Sequence, residues 1–258
     1  MSDLYIKTRG HGDTHLVLLH GWAMHGAIFE PLCQQLEARC TLHVVDLPGH
    51  GHSRDCAVPL EASACARAIV DATPPAAWLG WSMGGLIALT AALDYPDRIT
   101  GLAMVSSSPC FVRGPDWPHG VEKDVFEQFG TDLDVDYRKT LDRFLALEAM
   151  GSSHARDEIR HLRKDVFSFG EPDKRVLKQG LELLDHTDLR PRMPDLTQPS
   201  VWIAGGRDRL VPAAGMEWAA GQCGGTHTCI RHAGHAAFLG FTDAVIDALD
   251  PWLARCNP

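Results

Sequence analysis

No stretch of the chain approaches the roughly 18 consecutive apolar residues that a membrane-crossing helix needs. The first ten residues, Met1 to Gly10, hold neither the basic cluster nor the apolar segment of a secretion signal, so a soluble, cytoplasmic protein is expected. No CxxC pair occurs among Cys33, Cys40, Cys56, Cys65, Cys110, Cys223, Cys229 and Cys256, which argues against structural zinc. In a protein that is not secreted, these thiols are expected to be reduced. Basic residues are the minority, 24 Lys and Arg against 33 Asp and Glu, and a net charge of -9 disfavours general affinity for nucleic acid or an anionic membrane surface. Internal repeats and low-complexity tracts are also missing. What is there is an ordinary globular composition: 258 residues, 45% of them hydrophobic, enough for one large domain or one domain carrying an insertion.

Short apolar runs bounded by turn residues, at 16–19, 42–45, 76–79, 102–105 and 201–204, read as buried strands. Helix-like segments at 29–37, 62–72 and 84–93 lie between the first four. The alternation predicts an α/β fold, with a mostly parallel twisted sheet flanked by helices. That rhythm stops after Ser106-Ser107-Ser108-Pro109 and resumes only at Pro199. The segment between has helical spacing, as in Val125/Phe129 and Leu141/Phe144/Leu145, and no convincing strand. The expected division is a core of residues 1–109 and 191–258, with 110–190 a helical lid inserted between two strands.

The strongest local signal is Gly80-Trp81-Ser82-Met83-Gly84, directly after one apolar run and directly before a helix-like stretch. Small residues on both sides allow a sharp strand-to-helix turn that exposes the serine hydroxyl at the top of a sheet, which makes Ser82 a candidate nucleophile. A serine needs a base, and the base needs an acid to orient it. Asp208, in Gly205-Gly206-Arg207-Asp208 after the run at 201–204, is the candidate acid, with Asp185 and Asp188 as alternatives. His235, in Ala233-Gly234-His235-Ala236 after the run at 226–230, is the candidate base among 14 histidines, with His232 the near competitor.

Acyl transfer develops an oxyanion, and the backbone amides of Met83 and of Trp22, in the loop His20-Gly21-Trp22, are candidates to hold it. His20 is expected to brace that loop rather than act as a second base. The cluster Asp46-Leu47-Pro48-Gly49-His50-Gly51-His52-Ser53 invites a metal reading, but its glycines and proline read as a tight loop after a strand, and no metal is expected.

In this order, His20-Gly21-Trp22, Asp46-Leu47-Pro48-Gly49-His50-Gly51, Gly80-Trp81-Ser82-Met83-Gly84-Gly85, Gly205-Gly206-Arg207-Asp208 and Gly234-His235 resemble the α/β-hydrolase superfamily. More narrowly, Leu16-Val17-Leu18-Leu19-His20-Gly21-Trp22, Trp78-Leu79-Gly80-Trp81-Ser82, Ser107-Ser108-Pro109-Cys110-Phe111 and Arg143-Phe144-Leu145-Ala146-Leu147 resemble the pimeloyl-acyl carrier protein methyl ester esterases of biotin synthesis. The resemblance implies a serine carboxylesterase with Ser82, Asp208 and His235 as its triad, no cofactor, acyl carrier protein as partner, and a monomer. It also implies substrate contacts at Trp22, Ser82, Met83, His235 and the stretch Phe144, Leu145, Ala146, Leu147 and Glu148. A carboxylate at Glu148 sits awkwardly beside a site for an acidic acyl chain.

Carrier protein is acidic, so an acidic enzyme needs local positive charge to receive it. Between Arg138 and Lys164 there are seven basic residues and four acidic ones, and Lys139/Arg143 and Arg156/Arg160 are spaced to share helix faces. Those four are the expected docking residues, with a merely solvated helical face as the alternative. Two other functions remain open from sequence: a generalist short-chain carboxylesterase, and a ligand-binding protein that keeps the fold without catalysis.

Overall fold

The computed structural model describes residues 4–169 and 173–256, so residues 1–3, 257 and 258 of the expected core and 170–172 of the expected insertion lie outside the described residues. The amino-terminal half runs β1 (Ile6–Arg9), β2 (Thr14–Leu19), α1 (Glu30–Leu36), β3 (Cys40–Val45), α2 (Ala62–Ala72), β4 (Ala76–Trp81), α3 (Met83–Asp94) and β5 (Ile99–Val105). Four helices follow without an intervening strand: α4 (Asp124–Val135), α5 (Tyr137–Glu148), α6 (Ala155–Val166) and α7 (Lys174–His186). The chain then returns through β6 (Ser200–Gly205), α8 (Ala213–Cys223), β7 (Thr226–Ile230), α9 (Ala237–Gly240) and α10 (Thr242–Cys256). Among the described residues no helix is long and apolar enough to cross a membrane.

The strands form one seven-stranded sheet in the order β1-β3-β2-β4-β5-β6-β7, parallel except for β1, which pairs antiparallel with β3. The expected α/β fold is the one adopted. β4 and β6 are buried at every residue, as runs such as Ala-Ala-Trp-Leu-Gly-Trp must be when helices cover both faces of a sheet. α3 is apolar on all sides and is buried from Met83 through Ala92, which lets it lie under the middle of the sheet. β1 went unforeseen because it is a four-residue edge strand, Ile-Lys-Thr-Arg, half-exposed and with one apolar residue.

Sheet order places the site. From β2 the chain moves outward to β3, and from β4 it moves the other way to β5, so the direction of winding reverses between the adjacent strands β2 and β4. A crevice opens beyond the carboxyl ends of strands at such a reversal. Here those ends carry Trp22 and Ser82, and the ends of β6 and β7 bring Asp208 and His235 to the same edge. The segment between β5 and β6 closes on itself at its base, where Cys110 bridges to Asp188 and Leu189 N–H donates to Pro109 O at 2.8 Å.

Candidate active site

Ser82 stands at the turn from β4 to α3 with φ 54° and ψ −123°, a left-handed backbone that a non-glycine residue adopts at a cost of about 1–3 kcal/mol. The flanking glycines make the turn possible by leaving space: a Cβ on Gly80 would overlap the backbone of Gly85, and one on Gly84 would overlap the carbonyl of Leu19. The turn is held by Ser82 N–H donating to Val105 O at 3.1 Å and by Gly85 N–H donating to Ser82 O at 2.9 Å.

His235 reaches the site from the loop after β7, and Asp208 from the loop after β6. The two loops touch so closely that a Cβ on Gly205 would overlap Gly234 O. His235 Nδ1 lies 2.8 Å from Asp208 Oδ2, and neither side chain meets solvent. A carboxylate only accepts, so Nδ1–H is the donor in this bond. His235 Nε2 has no hydrogen-bond partner among the described residues. The other carboxylate oxygen, Asp208 Oδ1, accepts from the backbone amides of Leu210 (2.8 Å) and Val211 (3.0 Å), which fixes the carboxylate plane. Trp81, next to Ser82 in sequence, donates from Nε1 to His235 O at 3.0 Å and so ties the loop of His235 to the turn of Ser82.

The weaker sequence candidates lie elsewhere. Asp188 is engaged by Arg190 at 2.6 and 2.9 Å, Asp185 lies beside His186, and His232 is exposed. His20 is buried, donates from Nδ1 to Gly21 O at 2.8 Å and accepts at Nε2 from Leu47 N–H at 2.9 Å, so both ring nitrogens are used in bracing. Burial keeps it neutral by holding its pKa well below the usual histidine value. Asp46 likewise braces: it accepts from the amides of Gly26 (2.7 Å) and His52 (2.8 Å), and no group of three or more metal-ligating side chains occurs among the described residues.

Met83 is the first residue of α3, where amides have no partner within the helix. Trp22 sits in a turn closed by Met24 N–H donating to Gly21 O at 3.3 Å. Both residues are fully buried beneath α5 and α7: Trp22 Nε1 donates to Leu177 O at 2.7 Å, and the Trp22 ring meets Phe144 edge-on at 4.6 Å.

Residues 14–242 match the α/β-hydrolase fold family. The chain is 53% identical over 256 residues to the pimeloyl-[acyl-carrier protein] methyl ester esterase of Stenotrophomonas maltophilia (strain R551-3), covering 99% of this chain and 98% of that one. It is also 53% identical over 252 residues to the enzyme of the same name from Xanthomonas oryzae pv. oryzae (strain MAFF 311018), covering 97% and 99%. The chain belongs to this esterase family. Solved structures share the fold at low identity: an esterase from Exiguobacterium antarcticum superposes with a TM-score of 0.87 at 22% identity over 97% of this chain and 95% of that one. An enol-lactonase from Burkholderia xenovorans LB400 gives 0.85 at 20% over 97% and 96%.

Around Ser82, Asp208 and His235, the stretch expected to line the substrate site is split by helical geometry. At about 100° per residue, five consecutive residues of α5 cannot face one side. Phe144, Leu145 and Glu148 are buried, whereas Leu147 is half-buried and Ala146 points to solvent, so Ala146 is not brought to the site. Glu148, the residue that sat awkwardly beside a site for an acidic acyl chain, is buried. Both its oxygens are buried without a partner, and burial, reinforced by the charge of Asp208, pushes its pKa well above the usual glutamate value. Its main-chain oxygen accepts from His235 N–H at 2.9 Å.

Lys139, Arg143, Arg156 and Arg160 are all exposed on α5 and α6. Arg143 pairs with Asp132 at 2.7 Å and covers the Phe129 ring at 5.2 Å, and Arg160 pairs with Asp157 at 2.8 Å. Lys139 and Arg156 have no acidic partner among the described residues. Such intramolecular pairing was invisible to a count of charges along the sequence.

Proposed function

We propose that this protein hydrolyses the methyl ester of pimeloyl-acyl carrier protein, releasing methanol and the free pimeloyl-carrier acid for biotin synthesis, in the cytoplasm and as a monomer. The observation that carries the reading is the buried His235–Asp208 pair tied through Trp81 to Ser82, in a chain with 53% identity over nearly its full length to esterases of that name.

In this reading His235 Nε2 takes the proton of Ser82 as Oγ attacks the ester carbonyl carbon, and Asp208 stabilises the imidazolium. The amides of Trp22 and Met83 hold the oxyanion at the positive end of α3. Collapse breaks the bond to the methoxy oxygen, which leaves as methanol with the proton from His235. Water then gives its proton to His235, attacks the acyl-enzyme, and Ser82 recovers its hydroxyl hydrogen. Every species is accounted for without a cofactor.

The inserted helices, residues 110–190, serve as the lid. Ser82 is 3% exposed and His235 not at all, so a substrate tethered to a protein has to displace α5 or α7 to enter. Lys139, Arg143, Arg156 and Arg160 on the outer face of that lid receive the acidic carrier, and the acyl chain lies against Phe144, Leu145 and Glu148 once the lid has moved.

The test compares hydrolysis of the pimeloyl methyl ester on acyl carrier protein with the same ester on a small thiol, for wild type and for the Arg156→Glu, Arg160→Glu double variant. A carrier preference that collapses in the variant while small-ester turnover persists is expected. Equal turnover of both substrates, unmoved by the substitutions, removes the carrier from the reading.

A further inference from the structure

The glycines at the nucleophile do not end with the five-residue motif, because Gly85 follows Gly84. A Cβ on Gly85 would overlap Ser107 Oγ. The vacated space is used for one bond: Ser107, fully buried, donates from Oγ to Ser82 O at 2.7 Å. What brings Ser107 there is Ser106, at the carboxyl end of β5, whose φ of 44° lies in the left-handed region that non-glycine residues avoid. Ser106 N–H still donates to Ile203 O at 2.9 Å, as a strand residue would, and the left-handed turn then directs Ser107 back toward the nucleophile's turn. A strained residue, a buried hydroxyl and a glycine without an alternative thus converge on a single carbonyl oxygen.

That oxygen shares a rigid, planar peptide unit with the N–H of Met83. In a trans peptide the carbonyl and the N–H point in opposite directions, so a donor that pins Ser82 O also aims Met83 N–H. Gly85 N–H already holds the same oxygen at 2.9 Å, and a second donor both stiffens the plane and polarises the unit, which makes its N–H a stronger donor. We infer that Ser107 is a positioning residue for the oxyanion donor, acting through the Ser82–Met83 peptide rather than on the substrate. The inference rests on the serine-esterase reading above, but not on the carrier.

The experiment uses the full-length enzyme with p-nitrophenyl butyrate, a small ester, and an alkylboronic acid that forms a tetrahedral adduct on Ser82. Ser107→Ala is expected to lower kcat about tenfold, less than the 10²–10³-fold typical of deleting a direct oxyanion donor, with KM within about twofold. Affinity for the boronic acid is expected to fall in parallel, while the acidic limb of the pH profile stays in place. A merely structural role would move KM, thermal stability and that limb together. If Ser107→Ala fails to fold, Ser107→Cys, with a weaker donor, carries the same comparison with a smaller loss. Wild-type kcat, or unchanged boronic acid affinity beside a reduced kcat, overturns the inference. Ser82→Ala run alongside separates the failures: an active Ser82→Ala removes the serine-esterase reading, whereas an inactive one beside a fully active Ser107→Ala removes only the role of Ser107.

Discussion

His235 Nδ1 and Asp208 Oδ2 meet at 2.8 Å with both side chains wholly shielded from solvent, and Asp208 is itself pinned by two backbone amides. The carboxylate therefore dictates which imidazole nitrogen bears the proton. Asp208→Asn keeps the shape but offers an amide that can donate as well as accept, so the tautomer with Nε2 protonated becomes available and the base is lost. A fall in kcat on the order of 10³–10⁴-fold is expected, with thermal stability near wild type. Steady-state kinetics and a thermal melt check it, and a loss under about tenfold would remove Asp208 from the orienting role.

Glu148 gives a prediction with the opposite charge logic. Burial raises its pKa in the fold above the ordinary glutamate value that holds in the unfolded chain, so above that ordinary value the folded state keeps the proton more readily. The contribution to stability is whole below the ordinary glutamate value and is lost as pH climbs through the raised one. Glu148→Gln has no proton to lose, so its stability relative to wild type should increase steadily from pH 5 to pH 8. Denaturation midpoints at several pH values test this, and a difference that stays flat as pH rises would mean that Glu148 ionises in the folded protein as it does in the unfolded chain.

Glu148 also marks where sequence reading stops. A glutamate at the end of an amphipathic helix looks solvated, and only tertiary packing, which closes both oxygens away from water, raises its pKa. The legible parts were those in which one residue type answers one local demand. Apolar runs announced strands covered on both faces, and glycines at 80 and 84 announced a turn too tight for a Cβ. β1 escaped because an edge strand needs little apolar residue, and Ser107 escaped because three serines before a proline read as a turn. Ala146 was grouped with its neighbours by sequence adjacency, which the helix undoes by rotation.

Two buried histidines should make the fold acid-sensitive. His20 is held neutral well below its usual pKa, chiefly by burial, and His50, packed edge-on to it at 5.1 Å, is pushed down to about 4, again chiefly by burial. Both are protonated more readily in the unfolded chain. Their contribution is present above the ordinary histidine pKa of about 6.5 and is lost as pH falls toward the depressed folded values. Melting temperature should decline as pH drops from 6.5 to 4, and His50→Gln should flatten that decline. A decline equally steep in His50→Gln would assign the acid sensitivity to other groups.

Gly180 tests whether α7 bears on the oxyanion residues. Glycine inside a 13-residue helix is intrinsically unfavourable, and alanine there should stabilise α7 by about 0.5–1 kcal/mol if nothing opposed it. A Cβ at Gly180 would, however, lie 2.6 Å from Trp22 Cδ1 and 3.1 Å from Met83 Sδ. Trp22 is held in turn by its 2.7 Å bond to Leu177 O, one helical turn earlier. The added methyl must push either the helix outward or the indole inward, and overpacking of this kind costs about 1–3 kcal/mol, more than the helix gains. Gly180→Ala should therefore lower the melting temperature and reduce kcat on a small ester, because the displaced residues are those proposed to hold the oxyanion. A more stable enzyme with unchanged kcat would mean that α7 rides loosely over Trp22 and Met83, and the tight cover read from their burial would have to be abandoned.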